Sequence, residues 1–507
     1  MFSRRNKARQ WCTLLGDCAM LFTAFHVAGL TRYGNFTQAW TLYQWPMLAI
    51  AIIYVISFYA FTLYETGDRS KSAFFLSRLC AAVGFGFLIS SALSYFVFPL
   101  RIARWLAILC AGYTLVFVGG WRTLFDQLCR TRIQRKRVLI MGAGKLGAYV
   151  CKIARYVESL DIIGFLDDDQ DKHHGFVHGV EVLGPTERLP EMAKQDSIDI
   201  VVVAIKSVKE KDLLDRLLAA KMSRVKILDA STFYELTTGR IPMAHVRLGW
   251  IVFTSINGMA RHLYTRFKRY CDIALALFGL VLASPVMLIT AILIKLDSKG
   301  PLIYKQQRMG QHGKEFMMFK FRSMVVDAEK KQGGLYTSVK DARVTRVGRI
   351  IRRVRIDELP QLWNVLIGDM SFVGPRPEAM ELSHKYEQHI SFYALRHAIK
   401  PGLTGWAQVK FPYSASVEDA EYKFEFDMFY IKNMSILLDV QIVLQTINVL
   451  FFLISRNESV KKDTIIEAED AVATAKKLLE EGTSPGVSHT EASAGHRPGT
   501  HIVTRTE

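Results

Sequence analysis

Long apolar stretches in the first 121 residues constrain the fold more than any other feature of the chain. There are four of them, and they cover roughly residues 13–30, 45–64, 74–98 and 105–121. A helix needs about 20 predominantly apolar residues to cross the hydrocarbon core of a bilayer, and each stretch approaches or exceeds that length. The sequence therefore predicts a membrane protein that begins with four transmembrane helices, in a region we bound at 1–121.

Basic residues at the ends of these stretches predict the orientation of the chain, because Lys and Arg concentrate on the cytoplasmic side. The opposite loops carry only Arg32, Arg101 and Arg104. We therefore expect the N-terminus and everything after residue 121 to be cytoplasmic. The residues on the side interpreted as cytoplasmic are Arg4, Arg5, Lys7, Arg9, Arg69, Lys71, Arg122, Arg130, Arg132, Arg135, Lys136 and Arg137.

Composition limits the function classes further. Half of the residues are hydrophobic, which excludes a disordered chain, while the net charge is +18. The seven cysteines form no CxxC pair, which argues against a zinc site or a disulfide framework. We expect no Asp, Glu or Lys at mid-membrane depth, so the four helices are interpreted as an anchor and oligomerisation platform instead of an ion pathway.

A fifth apolar run, 273–294, differs from the others because Ser284 and Pro285 lie in its middle. Basic residues flank both ends, so a spanning helix would leave one basic flank outside. Proline also removes a backbone hydrogen bond, and Ser284 can satisfy a freed carbonyl. The sequence predicts a re-entrant helix over 267–296, broken at these two residues. The alternative is a fifth spanning helix with a proline kink.

The middle region, bounded at 122–255, alternates strand and helix patterns and predicts a Rossmann-like parallel sheet. Gly142, Gly144 and Gly147 follow the first strand directly, and Asp167 lies 20 residues after Gly147, where an acid that binds a ribose is expected. These residues are candidates for binding a nucleotide or coenzyme. The alternative is a retained fold with an empty site. Tyr264 and Lys268 match a dehydrogenase pair in spacing, but they lie beyond the sheet.

The densest polar cluster lies in the region 256–460, which we predict to be a mostly helical catalytic domain. Pro360 suits the first turn of a helix over about 360–367, which leaves Asp357 and Glu358 just before the N-terminus of that helix. Adjacent carboxylates among many cations suggest Mg²⁺-assisted phosphoryl transfer. The alternative is binding of anionic lipid headgroups, and nucleic acid is not expected. The cations are Arg308, Lys314, Lys320, Arg322, Arg343, Arg346, Arg349, Arg352, Arg353 and Arg376.

At this point the sequence resembles the large bacterial polyprenyl-phosphate hexose-1-phosphate transferases. The resemblance covers about 12–455 and is most specific over 266–440. The motifs that carry it include Lys268-Arg269, Asp272, Ser284-Pro285, the stretch 295–301, Gln307-Arg308, Gly310, Lys320 to Met324, Asp357 to Gln361, Gly368 to Ser371, Gly374-Pro375-Arg376-Pro377 and the stretch 400–408.

The resemblance implies that Asp357 attacks the β-phosphorus of a UDP-hexose, releases UMP and carries the sugar phosphate. Undecaprenyl phosphate then accepts it, which gives undecaprenyl-diphospho-hexose. Glu358 is expected to bind Mg²⁺ or to tune the nucleophile, and no redox cofactor is required. The expected phosphate or substrate contacts are Arg352, Arg376, Lys320, Arg322 and Arg308. Arg355 departs from the family pattern, in which a small polar residue is frequent.

The same resemblance implies a bacterial inner-membrane protein whose catalytic domain faces the cytoplasm. The reaction would be the first step of exopolysaccharide or capsule synthesis, with glucose as the first expected sugar and galactose as the second. A homodimer is expected. The rival classes are a membrane-anchored NAD(P)-dependent sugar-nucleotide oxidoreductase or epimerase, and a non-catalytic scaffold of polysaccharide synthesis.

The C-terminal part is expected to add little chemistry. The apolar run 436–455 is interrupted by polar residues, so it predicts an interfacial or packing helix. The polar tail, 461–507, is interpreted as partly disordered.

Overall fold

The computed structural model describes residues 4–34, 36–64, 73–97, 102–129, 135–155, 157, 159–195, 198–205, 211–223, 225–243, 259–326, 343–411 and 417–454. The chain divides into two compact units. Within the described residues, one unit combines the N-terminal helices with the chain from Tyr234 to Ile454, and the other lies within Gln134–Phe233. The middle domain is therefore shorter at both ends than the predicted 122–255, because residues 122–129 continue a helix of the first unit. The tail, 461–507, lies outside the described residues.

The N-terminal apolar stretches form the helices α1 (Arg4–Tyr33), α2 (Phe36–Ala60), α3 (Ala73–Phe96) and α4 (Arg104–Cys129). Each contains a segment that is long and apolar enough to cross a membrane. Their shared core includes Leu21, Tyr54, Phe58, Leu79 and Leu106, all buried. Large apolar side chains such as Trp45, Leu88 and Trp105 remain exposed, as expected of surfaces in contact with lipid. These helices identify a membrane protein.

A buried ion pair joins two helices of this bundle. Asp17 of α1 is completely buried and pairs with Arg122 of α4, which is also buried. Arg122 donates from Nε to Asp17 Oδ1 at 3.1 Å and from Nη2 to Asp17 Oδ2. A charged pair is tolerated in an apolar bundle only when both partners are satisfied. The pair therefore fixes α1 against α4.

The middle unit contains the predicted parallel sheet. Its four main strands are β1 (Lys136–Met141), β2 (Leu160–Leu166), β5 (Ile200–Val203) and β6 (Lys226–Asp229), in the order β2-β1-β5-β6 and all parallel. The short strands β3 (Phe176–Val177) and β4 (Val180–Glu181) form a small antiparallel pair. The helices are α5 (Lys145–Arg155), α6 (Leu189–Lys194) and α7 (Lys211–Met222). A Rossmann-like domain is confirmed.

Helix α8 (Ala230–Thr238) follows the sheet and leads towards the C-terminal part of the first unit. The next helix, α9 (Met259–Asp297), covers the fifth apolar run. Ser284 and Pro285 lie inside this helix, and Ser284 Oγ donates to the Val281 carbonyl at 2.8 Å. The predicted break is not seen, because the helix continues through both residues. Ser284 satisfies the carbonyl of Val281, which Pro285 leaves without its helical donor.

The remaining elements of the first unit are mostly helical, as predicted. The hairpin β7 (Ile303–Met309) and β8 (Glu315–Phe321) is antiparallel, and β9 (Ser371–Val373) pairs in parallel with β10 (Gly402–Thr404). The helices are α10 (Arg346–Arg353), α11 (Gln361–Ile367), α12 (Met380–His389), α13 (Trp406–Lys410), α14 (Val417–Asn433) and α15 (Ile436–Ile454).

The largest core of this C-terminal part is built by α12, α13, α14 and α15. It buries aromatic and aliphatic side chains such as Tyr386, Trp406, Phe424 and Ile442. On α15, Ile442 belongs to this core, while Leu444 packs against the core of the N-terminal bundle. The prediction of a packing helix over 436–455 is therefore confirmed for the residues that the structure describes.

Candidate active site

The carboxylate pair lies on a tight turn between two short helices. Thr345 caps α10, because its Oγ1 accepts a hydrogen bond from Gly348 N at 2.9 Å. After α10 the backbone reverses at Arg355, whose φ of 59° is in the left-handed region that L-residues rarely adopt. A 3₁₀ turn, Ile356–Glu358, then carries both carboxylates, and Pro360 precedes α11. The predicted helix over 360–367 is confirmed.

Glu358 is held by three cations from three different elements. Its Oε1 accepts hydrogen bonds from Arg376 Nη2 at 2.9 Å, from Lys320 Nζ at 3.4 Å and from Arg355 Nη1 at 3.4 Å. Burial of the side chain opposes its ionisation, but the charges of Arg376, Lys320 and Arg355 outweigh it and hold the pKa of Glu358 well below its usual range. Glu358 is thus a fixed anion that organises the cations around it.

Asp357, directly before it, has a different environment. The residue is buried, at 8% exposure, and its Oδ1 accepts no hydrogen bond from the part of the chain that the structure describes. Burial raises the pKa of the Asp357 carboxyl, and the negative charge of Glu358 raises it further. Burying a carboxylate oxygen without a hydrogen-bond partner costs free energy of folding. This oxygen is therefore the one available to a bound substrate.

Two of the predicted phosphate-binding cations are brought to this pair. Lys320 reaches Glu358 from β8, and burial lowers the pKa of its amine to about 8. Arg376 reaches Glu358 from the loop after β9, and the Glu358 charge raises the pKa of its guanidinium. Arg352, in the last turn of α10, is half-buried, and its charge opposes the increase in the Asp357 pKa.

Two other predicted cations have different partners. Arg308 donates from Nη1 to the Pro377 carbonyl at 3.1 Å and from Nε to Gln306 Oε1 at 3.1 Å, so it holds the loop that carries Arg376. Arg322 is buried, and its Nη2 donates to the Ser298 carbonyl at 2.7 Å. Arg322 therefore secures the C-terminal end of α9, and the structure does not bring it to the carboxylate pair.

Sequence reasoning missed several residues of this site. Arg355 was noted only as a departure from the family pattern, and its contact with Glu358, three residues away, was not predicted. Asn364 clamps β8, because its Oδ1 accepts from Phe319 N at 3.0 Å and its Nδ2 donates to the Met317 carbonyl at 2.7 Å. Arg396 holds the Arg376 backbone, and only the three-dimensional structure shows this.

The glycine turn of the middle unit is explained largely by packing. A Cβ on Gly147 would lie 1.8 Å from the Gly142 carbonyl oxygen, and Gly142 itself has a φ of +102°. A Cβ on Gly144 would meet nothing within 4 Å among the described residues. The Asp167 carboxylate accepts the Ala143 N–H at 2.7 Å and so closes the turn. This arrangement leaves that N–H occupied, and it does not favour a ribose contact through Asp167.

The dehydrogenase-like pair, Tyr264 and Lys268, makes structural hydrogen bonds within the first unit. Tyr264 Oη and Lys268 Nζ both donate to Asp439 Oδ2, at 2.6 Å and 2.8 Å. Tyr430 donates to Asp439 Oδ1 at 2.7 Å. Asp439 of α15 thus ties the first turns of α9 to the C-terminal core. The pair has a structural role here, which weakens the oxidoreductase alternative.

Two family models match the chain. Residues 263–453 match a family model described as bacterial sugar transferase, and residues 59–228 match one described as a CoA-binding domain. The matched domain contains the carboxylate pair and all its cationic partners. Fold and site together define a membrane-associated bacterial sugar transferase.

Curated relatives make the family more specific. A UDP-N-acetylgalactosamine-undecaprenyl-phosphate N-acetylgalactosaminephosphotransferase of Aeromonas hydrophila is 42% identical over 45% of this chain and 52% of its own length. UDP-glucose:undecaprenyl-phosphate glucose-1-phosphate transferases of Escherichia coli K12 and Klebsiella pneumoniae are 39% and 32% identical, over 52% and 68% of this chain. The chain belongs to the family of undecaprenyl-phosphate sugar-phosphate transferases. It spans 52% and 57% of the first two relatives and 73% of the third.

Among solved structures, the Rex-family repressor RSP matches 31% of the chain at 16% identity, with a TM-score of 0.18. This likeness is too weak to carry an argument about function.

Proposed function

We propose that the protein transfers hexose 1-phosphate from a UDP-hexose to undecaprenyl phosphate, with release of UMP and formation of undecaprenyl-diphospho-hexose. The observation that carries the proposal is the contrast between two adjacent carboxylates. Glu358 is fixed by three cations, whereas the buried Oδ1 of Asp357 accepts no hydrogen bond from the described residues. A nucleophile needs such an oxygen, and a phosphate needs the cations beside it.

In the first step, Asp357 Oδ1 attacks the β-phosphorus of the UDP-hexose. A bond forms between the carboxylate oxygen and phosphorus, and the bond between that phosphorus and the bridging oxygen of UMP breaks. The electron pair leaves with UMP. Lys320 and Arg376, gathered by Glu358, neutralise charge on the phosphoryl oxygens. Because these cations are already ordered by Glu358, little reorganisation is needed when the charge develops.

In the second step, a phosphate oxygen of undecaprenyl phosphate attacks the phosphorus of the aspartyl intermediate. The bond between phosphorus and Asp357 breaks, and the carboxylate is restored. The sum of the two steps exchanges one diphosphate linkage for another, so no oxidant or reductant is consumed. Burial and the charge of Glu358 raise the pKa of Asp357, which makes its carboxylate more basic than an exposed one, and the charges of Lys320, Arg355 and Arg352 oppose this rise.

Mg²⁺ is proposed as the metal. This ion commonly binds through one or two carboxylates together with substrate phosphates, so it does not need a cluster of protein ligands. The three cationic partners of Glu358 all contact Oε1, and its other oxygen, Oε2, is the group that would hold the ion. When bound, Mg²⁺ would neutralise diphosphate charge and support departure of UMP.

The contacts of α9 support its insertion from one side of the membrane. In its N-terminal half, Arg269 donates to the carbonyls of Val365 and Leu366, at 2.6 Å and 2.8 Å. Near its C-terminal end, Asp297 Oδ2 accepts from Val347 N at 3.1 Å. Both ends therefore contact one compact region, which a helix crossing a membrane about 30 Å thick would not allow. We propose a re-entrant helix and a catalytic domain on the cytoplasmic face of the bacterial inner membrane.

The sugar, the pathway and the assembly state are finer proposals. The relatives named above act on UDP-glucose or UDP-N-acetylgalactosamine, and another is named for galactose. We place glucose first among the donors. We also propose that the product enters exopolysaccharide or capsule synthesis as its first lipid-linked intermediate, and that the protein is a homodimer.

The test is release of UMP from a panel of UDP-sugars by purified full-length protein with Mg²⁺ and undecaprenyl phosphate. We expect release with one donor, dependent on both lipid and metal, and loss of release in Asp357→Asn. Asp161→Asn, an exposed carboxylate of the sheet unit, serves as the control. Lipid-linked product made by Asp357→Asn would overturn the mechanism. If the parent protein releases UMP from none of the UDP-sugars, a non-catalytic scaffold is favoured. If it converts a UDP-sugar in a cofactor-dependent reaction, an oxidoreductase or epimerase is favoured.

A further inference from the structure

Asp357 has a neighbour, Gln361, with a buried side-chain donor that is also unused among the described residues. Gln361 is 2% exposed, and its Nε2 donates no hydrogen bond to the part of the chain that the structure describes. Buried amides nearly always find a partner, because leaving a donor unmet inside a protein is costly. Two groups at this turn therefore lack a hydrogen-bond partner among the described residues: the acceptor Oδ1 of Asp357 and the donor Nε2 of Gln361.

The backbone keeps these two side chains near each other on one short segment. Leu359 (φ −56°, ψ −36°) and Pro360 (φ −61°, ψ −17°), which separate the 3₁₀ turn from α11, are both in the right-handed helical region. Asp357 and Gln361 are four residues apart on this continuous helical path. The hydrogen bonds along this path join residues three apart, such as Leu359 N to the Ile356 carbonyl and Leu362 N to the Leu359 carbonyl, so the segment is of the 3₁₀ type. Four residues rise about 8 Å along such a segment, a distance that one bound phosphate and two side chains can bridge.

A second amide on the same helix shows what a structural role looks like here. Asn364, also buried, uses both of its side-chain groups on the backbone of β8, at 3.0 Å to Phe319 N and 2.7 Å to the Met317 carbonyl. Gln361, three residues earlier, has no such bond from its amide nitrogen. The Asn364 amide thus stabilises the fold, whereas the Gln361 amide nitrogen is available to a bound ligand.

We propose that Gln361 is a further catalytic residue, one that donates a hydrogen bond to a nonbridging oxygen of the phosphoryl group as it is transferred to and from Asp357. This inference rests on the proposed function. One phosphoryl group satisfies both unmet groups, since its phosphorus bonds Asp357 Oδ1 while one of its oxygens accepts from Gln361 Nε2. A neutral donor fixed beside the reacting phosphorus stabilises charge that develops on that oxygen.

The experiment measures formation of the covalent intermediate in a single turnover. Purified protein is mixed with Mg²⁺ and radiolabelled UDP-hexose of the preferred sugar, without lipid acceptor, and protein-bound label is followed in time. The variants are Gln361→Met, which keeps the length and removes the donors, and Gln361→Glu, which replaces the donors with an acceptor. Gln445→Met is the matched control, because Gln445 of α15 is equally buried, at 4% exposure.

We expect both Gln361 variants to form the intermediate at least about 100-fold more slowly, as for loss of one donor to a developing oxyanion. Gln445→Met should match the parent protein. Thermal unfolding and gel filtration of each variant establish that it folds. A Gln361→Met rate within about twofold of the parent, while Asp357→Asn forms no intermediate, would overturn the role of Gln361 and leave the proposed function intact. Absence of intermediate and of UMP release in the parent protein would overturn both.

Discussion

Arg396 holds the backbone of Arg376, although 20 residues separate them. Its Nη2 donates to the Arg376 carbonyl at 2.9 Å and to Asp427 Oδ2, also at 2.9 Å. Both Arg396 and Asp427 are buried, at 5% and 2% exposure. Because the Arg376 side chain bonds Glu358, a chain of contacts runs from α14 to the carboxylate pair. The position of the Arg376 guanidinium thus depends on residues that do not touch the site.

The first prediction follows from this chain of contacts. Arg396→Lys keeps a positive charge for Asp427 but cannot bond the carbonyl and the carboxylate in the same forked geometry. We expect about a 10-fold fall in kcat for UMP release, with a smaller change in KM for the UDP-sugar, because Arg376 is displaced and the binding groups remain. Arg216→Lys, at an exposed pair with Glu187 in the sheet unit, is the control. Unchanged kcat in folded Arg396→Lys would show that Arg376 is positioned without Arg396.

The second prediction concerns pH. Burial lowers the pKa of Lys320 to about 8, although the Glu358 charge opposes the change. If the charged amine neutralises phosphate, UMP release should fall as the pH rises through about 8, since the amine then loses its proton. Lys320→Arg keeps the charge at all these pH values and should shift or abolish this alkaline limb. The measurement is kcat/KM across the range, and an identical limb in both proteins would assign it to another group.

The position of the carboxylate pair before a helix was predictable because it depends only on neighbouring residues in the sequence. Pro360 marks the start of a helix, and the adjacent acids are fixed by covalent sequence, so their placement needed no knowledge of the tertiary fold. The apolar helices and the parallel sheet were predictable for the same reason, since their length and periodicity are written in contiguous segments.

The partners of individual side chains were not predictable, because they depend on long-range packing. Lys320 and Arg322 are two residues apart and have the same chemical character, yet one contacts Glu358 and the other bonds the end of α9. Gln361 and Asn364 differ in the same way. Asp17 was overlooked for a simpler reason: its apolar neighbours dominate the hydropathy of the stretch, and its partner Arg122 is 105 residues away.

The third prediction concerns that buried pair between Asp17 and Arg122. Asp17→Leu leaves the guanidinium of Arg122 without its carboxylate inside the helix bundle, which should reduce stability by about 3–5 kcal/mol. The double variant Asp17→Leu with Arg122→Met removes both charges and should recover much of that loss. Thermal unfolding of detergent-solubilised protein measures both. Arg122→Met alone completes the cycle, and a double-variant loss equal to the sum of the two single-variant losses would mean that the two residues are not energetically coupled.

The fourth prediction concerns Glu425, which accepts a hydrogen bond from Tyr234 Oη at 2.9 Å in the C-terminal core. Burial raises its pKa to about 7, above the ordinary value of 4.5, although the Arg240 charge opposes this. Between these two pH values the folded protein retains a proton that the unfolded chain releases. Stability should therefore fall as pH rises from about 4.5 through about 7, by an amount on the order of 3 kcal/mol.

Glu425→Gln removes this proton and should flatten that part of the stability profile. The difference in unfolding temperature between the variant and the parent protein should thus favour the variant increasingly from about pH 5 to about pH 8. Glu187→Gln, at an exposed site in the sheet unit, controls for the general effect of removing a carboxylate. A constant difference across this range would show that Glu425 does not retain the proton.

The last prediction concerns the side of the membrane on which α9 begins and ends. The helix contains 39 residues, about 58 Å at 1.5 Å per residue, yet both of its ends contact the same compact region. Single cysteines at the exposed positions Arg266 and Lys299, in a variant without the seven native cysteines, report the two flanks. In intact cells an impermeant maleimide should label neither flank, and after permeabilisation it should label both. Arg32→Cys, at the end of α1 that is expected outside, should react in intact cells. Labelling of one flank and not the other before permeabilisation would establish that α9 crosses the membrane.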